Sequence, residues 1–106
     1  MKSEEKIFEL RVYTVIPKQY PKLIKLWEEE GKPIIKKYMN CIGVWNTESG
    51  QLNKIYHLYE WQGYNQRDDA RHNFYIDKNA KSYVKKVKPL YQTQESYILK
   101  ALPKLY

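Results

Sequence analysis

The side chains best suited to chemistry recur at two-residue intervals. Arg11 and Tyr13 stand near the start of the chain, His57 and Tyr59 near its middle, and Glu95 and Tyr97 near its end. On an extended backbone that spacing sends both members of each pair to one face, so neighbouring strands in register would gather all six. With Trp45 close by, such a face could hold a planar or anionic small molecule and let His57 move a proton, because imidazole titrates near neutrality. A plainer alternative is favoured. His57 would be a strand histidine bonded to a tyrosine or glutamate beneath a covering partner, and Arg11 and Glu95 an ion pair between neighbouring strands. Arg71 and His72 could rim a pocket between helix and sheet, with solvated helix surface again the plainer alternative.

Other chemistries are argued against by pattern. His57 and His72 fall in different elements and the one cysteine, Cys41, pairs with neither, so no zinc, haem or other metal is expected. Gly31, Gly43, Gly50 and Gly63 are too scattered for a phosphate-binding loop, and no serine carries a nucleophile motif. Standard hydrolase, kinase and dehydrogenase sites are therefore not signalled, and no cofactor is expected. Cys41 cannot form an internal disulfide; a buried structural thiol in a reducing compartment is the expectation.

Several elements must position these groups. From Ile7 to Ile16 the residues alternate as in a strand that Pro17 ends, with Phe8, Leu10 and Val12 expected to meet the helices and Glu9, Arg11 and Tyr13 sent to the far side. Pro21 suits a first helical turn. Tyr20, Leu23, Ile24, Trp27, Ile34, Ile35 and Tyr38 then keep to one helical stripe that includes Gly31, and Gly31 and Pro33 predict a kink or short break within it. Residues 41–48 and 53–61 read as an antiparallel hairpin about a turn at 49–52. A polar segment, 64–79, leads into a second stripe of Ile76, Ala80, Tyr83, Val84 and Val87 that ends near Pro89. A β-rich run, 91–101, closes the chain, and Pro103 stops it.

Strand, helix, hairpin, helix, strand is the ferredoxin-like order, an α+β fold with a four-stranded antiparallel sheet and both helices on one face. A chain of 106 residues holds one such domain, with the charged residues 1–6 expected to be flexible. The other sheet face starts bare, and the commonest cover for an aromatic face is a second copy of the chain. The net charge of +7 is nearly all lysine, and a solvated lysine surface is favoured over a nucleic-acid footprint. The run by which RNA-recognition domains stack bases is absent from residues 53–61, where Glu60 adds a negative charge. No apolar run is long enough for a signal peptide or a membrane span, so a cytoplasmic protein is expected, with at most weak membrane-surface contact.

Three blocks resemble the NIPSNAP family: Phe8-Glu9-Leu10-Arg11-Val12-Tyr13-Thr14; residues 43–53 followed by Ile55-Tyr56-His57-Leu58-Tyr59; and Pro89-Leu90 followed by Gln94-Glu95-Ser96-Tyr97-Ile98-Leu99. They fall in order across nearly the whole chain, and Trp45, Gly50, Asn53 and His57 are the specific part. The resemblance implies a ferredoxin-like subunit that pairs into a dimeric α/β barrel, related in architecture to small cofactor-independent monooxygenases, without an agreed activity. Tyr59 stands where the family leads one to expect Trp, and the second helical region is rich in Lys and Tyr and poor in Arg; both departures bear on ligand choice. Two functions follow as expectations. One is a homodimer binding a small aromatic or anionic molecule between sheet and helices, with His57, Tyr13 and Arg11 as polar contacts and monooxygenase-like chemistry as an extension. The other is a non-catalytic module that shows lysine-rich helices to a protein or membrane surface.

Overall fold

A computed structural model describes residues 5–103. Four antiparallel strands, β1 (Ile7–Val15), β2 (Cys41–Asn46), β3 (Lys54–Trp61) and β4 (Tyr91–Leu99), lie in the order β2-β3-β1-β4, which is the ferredoxin-like arrangement. Pro17 closes β1 and opens a short turn, Pro17–Gln19. The first helical stripe forms α1 (Tyr20–Leu26) and α2 (Lys32–Tyr38), joined without a gap by a π turn, Trp27–Gly31. Pro33 explains the π turn: it has no N–H to continue the α pattern, and the Lys32 N–H reaches back five residues to the Trp27 carbonyl. The expected break is therefore a widened turn that keeps Leu23, Gly31 and Ile35 on one buried side.

The polar segment after Gly63 is itself a helix, α3 (Tyr64–Ile76), followed by α4 (Lys78–Val87). Only Ala70 and Phe74 of α3 are buried, too thin a stripe to show as periodicity in the sequence. Asp77 separates the two helices. Its backbone is extended, its Oδ1 accepts from the Asn79 and Ala80 N–H groups, and the Tyr38 hydroxyl donates to its Oδ2, tying α4 to α2. The break shifts the helical phase, so Ile76 is exposed and does not join Ala80, Tyr83 and Val87 in the core.

The register reverses one expectation. Ile7, Glu9, Arg11, Tyr13 and Val15 face the helices, alongside Ile55, His57, Tyr59 and Trp61 of β3. Phe8, Leu10 and Val12 line the bare face. There Leu10 lies opposite Leu58 and Tyr97, and Val12 opposite Tyr56 and Glu95. Both faces of β1 are apolar at their ends, so alternation defined two sets of residues without saying which was inside. The helix-side row is anchored by Ile7 and Val15, both wholly buried, and Glu9 is carried inside between them.

Cys41 is half-buried, with its Sγ toward the Gly43 carbonyl at 3.5 Å, so the fully buried thiol expected there is found only in part. Burial pushes the thiol upward, away from the reactive thiolate. Of the residues expected to be flexible, 1–4 lie outside the described ones, while Lys6 pairs with Glu60 and Glu5 with Lys100. No described helix is long and apolar enough to cross a membrane.

Candidate functional site

Two ionisable side chains of β1 reach the buried face two residues apart and meet opposite fates. Glu9, 1% exposed, accepts from Arg67 Nε at 2.9 Å and Nη2 at 3.2 Å, from Ser96 Oγ at 2.7 Å and from Trp61 Nε1 at 3.2 Å. It is fully engaged by β3, α3 and β4. Arg11 forms no ion pair among the described residues, and its Nε is buried without a hydrogen-bond partner. Its guanidinium rests over the Tyr13 ring, 5.5 Å from the centroid. An arginine keeps its charge in any protein environment, so Arg11 is a half-buried cation with a buried donor left unused.

Around it stands a group of rings. Tyr13 stacks on Tyr91 at 4.5 Å and meets His57 edge-on at 5.0 Å, and Trp27 also meets His57 edge-on at 5.1 Å. His57 Nδ1 and the Tyr59 hydroxyl are 2.8 Å apart, both side chains buried. Burial, with the Arg11 charge adding to it, lowers His57 to about 3, so the imidazole is neutral at pH 7. Burial likewise raises the Tyr13, Tyr59, Tyr83 and Tyr91 hydroxyls, which stay protonated. His57 is thus a strand histidine beside a tyrosine hydroxyl, but it lies beneath the chain's own helices and not on the face where a covering partner was expected.

A cavity of about 240 Å³ opens over Arg11, Tyr13, His57 and Tyr59, walled by Tyr75, Tyr83 and Tyr91 and with Lys88 on its lining. No carboxylate lines it among the described residues. The six residues expected to share a face divide here: Arg11, Tyr13, His57 and Tyr59 come together on the helix side, whereas Glu95 and Tyr97 lie on the bare face, paired with each other at 2.6 Å. Glu95 therefore cannot pair with Arg11, because successive strand residues point to opposite faces. Trp45 lies on β2 with its ring over Gly43, half-exposed, and borders a second cavity. Arg71 covers the Tyr75 ring at 5.4 Å and so supports the rim, and His72 is exposed on α3 and takes no part in the lining. Tyr83 and Tyr91 were not among the candidates. Tyr83 sat in a helical stripe and Tyr91 at a strand start, places where an aromatic residue reads as core.

The buried neutral imidazole gives a stability signature. The unfolded chain takes up a proton near pH 6.5 that the native chain refuses until about pH 3, so His57 contributes stability above 6.5 that falls away as the pH drops toward 3. Urea unfolding at pH 7 and pH 5 is expected to differ by about 2 kcal/mol in the wild type, and His57→Phe should remove most of that difference. An equal pH slope in the variant would assign the effect to another group.

Sheet order, helix placement and a ring-lined cavity beneath the helices define a ferredoxin-like α+β domain with a candidate site between sheet and helices. The NIPSNAP family model matches residues 8–104, and the chain belongs to that family. Among solved structures, an uncharacterized NIPSNAP domain protein from Burkholderia xenovorans is 26% identical with a TM-score of 0.84, covering 94% of this chain and 96% of its own. A NIPSNAP family protein from Agrobacterium tumefaciens is 24% identical with a TM-score of 0.88, over 100% and 92% of the two chains. A Nitrosomonas europaea protein provisionally described as an antibiotic biosynthesis monooxygenase has a TM-score of 0.70 over 92% and 99% at 6% identity, a likeness of fold alone. A comparison with curated proteins finds no match.

Proposed function

We propose that the protein binds a small aromatic oxyanion, such as a carboxylate, between sheet and helices, with Arg11 as the anchor. One observation carries this: the Arg11 Nε is buried and unpartnered above a cavity without a carboxylate among the described residues. Leaving such a donor unsatisfied costs roughly 1–3 kcal/mol, and a ligand oxygen in the cavity would recover it with a charge-assisted bond. The tyrosine rings supply flat apolar walls. His57, held at about 3, is too weak a base to lead the chemistry at pH 7, so binding is the activity proposed.

Calorimetric titration at pH 7 with benzoate and 2-naphthoate, against their amides, tests the reading. The acids should bind about tenfold or more tightly than the uncharged amides. Acids that bind no better than amides, or not at all, would overturn it.

The bare sheet face supports a second copy of the chain as its cover. Phe8, Leu10, Leu58 and Leu99 lie side by side there, with Tyr56 and Tyr97 flanking them, and an apolar sheet surface of this kind suits an isologous pairing. Light scattering at micromolar concentration is expected to return the mass of two chains, and Leu58→Lys the mass of one. A single-chain mass for the wild type would contradict the pairing.

A further inference from the structure

Two cavities meet at His57. The Arg11 cavity of about 240 Å³ lies on one side, and on the other, between α1, the π turn and β2, lies one of about 190 Å³. His57, Tyr83 and Tyr91 line both. Pockets that take drug-sized molecules measure roughly 300–1,000 Å³; each chamber falls short of that range and the two together fall within it.

The chambers differ in character. The first offers a guanidinium and Lys88; the second offers Leu23, Ile24, Trp27 and Val44, with Glu28 as its one charged group among the described residues. A carboxylate at that end disfavours a second anion, and the apolar walls favour an uncharged ring.

Gly31 fixes where Tyr83, a wall shared by both chambers, can lie. A Cβ at Gly31 would fall within the Tyr83 ring and against its hydroxyl, so the glycine is what lets Tyr83 lie back against the π turn. The same π turn begins with Trp27, which walls the second chamber and touches His57. One irregular turn thus sets both the place of the shared Tyr83 wall and the far wall of the second chamber, a use for which π turns are known.

We propose that the ligand is an elongated monoanion. Its oxyanion sits on Arg11, and its uncharged aromatic second part passes His57, Tyr83 and Tyr91 to end against Trp27, Ile24 and Val44. The inference rests on Arg11 as the anchor and adds the shape and far end of the ligand.

The test is calorimetric titration at pH 7 with benzoate and 4-biphenylcarboxylate. Wild type should bind the two-ring acid about tenfold or more tightly than benzoate, the gain expected from burying a second ring. Ile24→Trp and Val44→Phe fill the second chamber from two different elements, so one poorly folded variant does not void the test. Each should cut the gain to about threefold or less and leave benzoate binding unchanged. Wild type that binds both acids equally, or a gain that survives in both filling variants, would overturn the two-chamber ligand while leaving the anchor standing. Failure of the wild type to bind either acid would overturn the anchor itself.

Discussion

Glu9→Gln is expected to destabilise the fold by about 3 kcal/mol at pH 7, a large part of the 5–15 kcal/mol by which a small domain is stable. Burial alone would raise the Glu9 carboxyl. The hydrogen bonds from Arg67 and Ser96 and the Arg67 charge outweigh it and hold the group at about 2 instead of 4.5. That lowering corresponds to about 3 kcal/mol of stability, present above pH 4.5 and lost as the pH falls through 2. The amide keeps the shape and removes the charge that Arg67 meets inside, leaving a largely buried guanidinium with the exposed Asp68 at 3.6 Å as its remaining carboxylate. Urea unfolding at pH 7 checks the magnitude. A variant with the wild-type midpoint would show that the four donors around Glu9 are incidental.

Arg11→Met, two residues along the same face, should behave in the opposite way. The folded protein should lose less than about 1 kcal/mol, or gain stability, because the substitution gives up a cation over the Tyr13 ring and also removes a buried donor that has no partner. Binding of an aromatic acid should fall about 30-fold or more, the worth of a charge-assisted hydrogen bond lost when Lys88 is left as the cation on the lining. Urea unfolding without ligand and titration with 2-naphthoate separate the two effects. A variant that unfolds as readily as Glu9→Gln would make Arg11 a structural residue, and one that binds acids as the wild type does would move the anion site elsewhere.

The strand and helix order was legible from periodicity and proline placement, because Pro17, Pro21 and Pro33 each act through fixed backbone chemistry. The grouping of Arg11, Tyr13, His57 and Tyr59 was legible as well, since a period of two defines a shared face. The identity of that face was not. A strand ending in Ile7 and Val15 on one side and carrying Phe8, Leu10 and Val12 on the other offers apolar residues to both, and only the Arg67 and Ser96 donors, 58 and 87 residues distant, show that Glu9 belongs inside. Glu95 and Tyr97 were misplaced for a related reason: register with β1 follows from the whole sheet and is not encoded in their own spacing. The buried side of α3 is not legible because it is two residues, Ala70 and Phe74, and the roles of Tyr83 and Tyr91 are not because a buried tyrosine in the sequence looks the same whether it fills a core or walls a cavity.

The measurement that bears most directly on Arg11 as an anion anchor is nitrogen-correlated NMR of the arginine Nε–H groups during titration with benzoate. The chain has three arginines, Arg11, Arg67 and Arg71, and Arg11→Met identifies the Arg11 signal by its disappearance. Benzoate should shift the Arg11 Nε–H and slow its exchange with water, as a donor does on gaining an oxygen partner, while the Arg67 signal, already bound to Glu9, stays in place. An Arg11 signal unmoved at saturating benzoate would contradict the account.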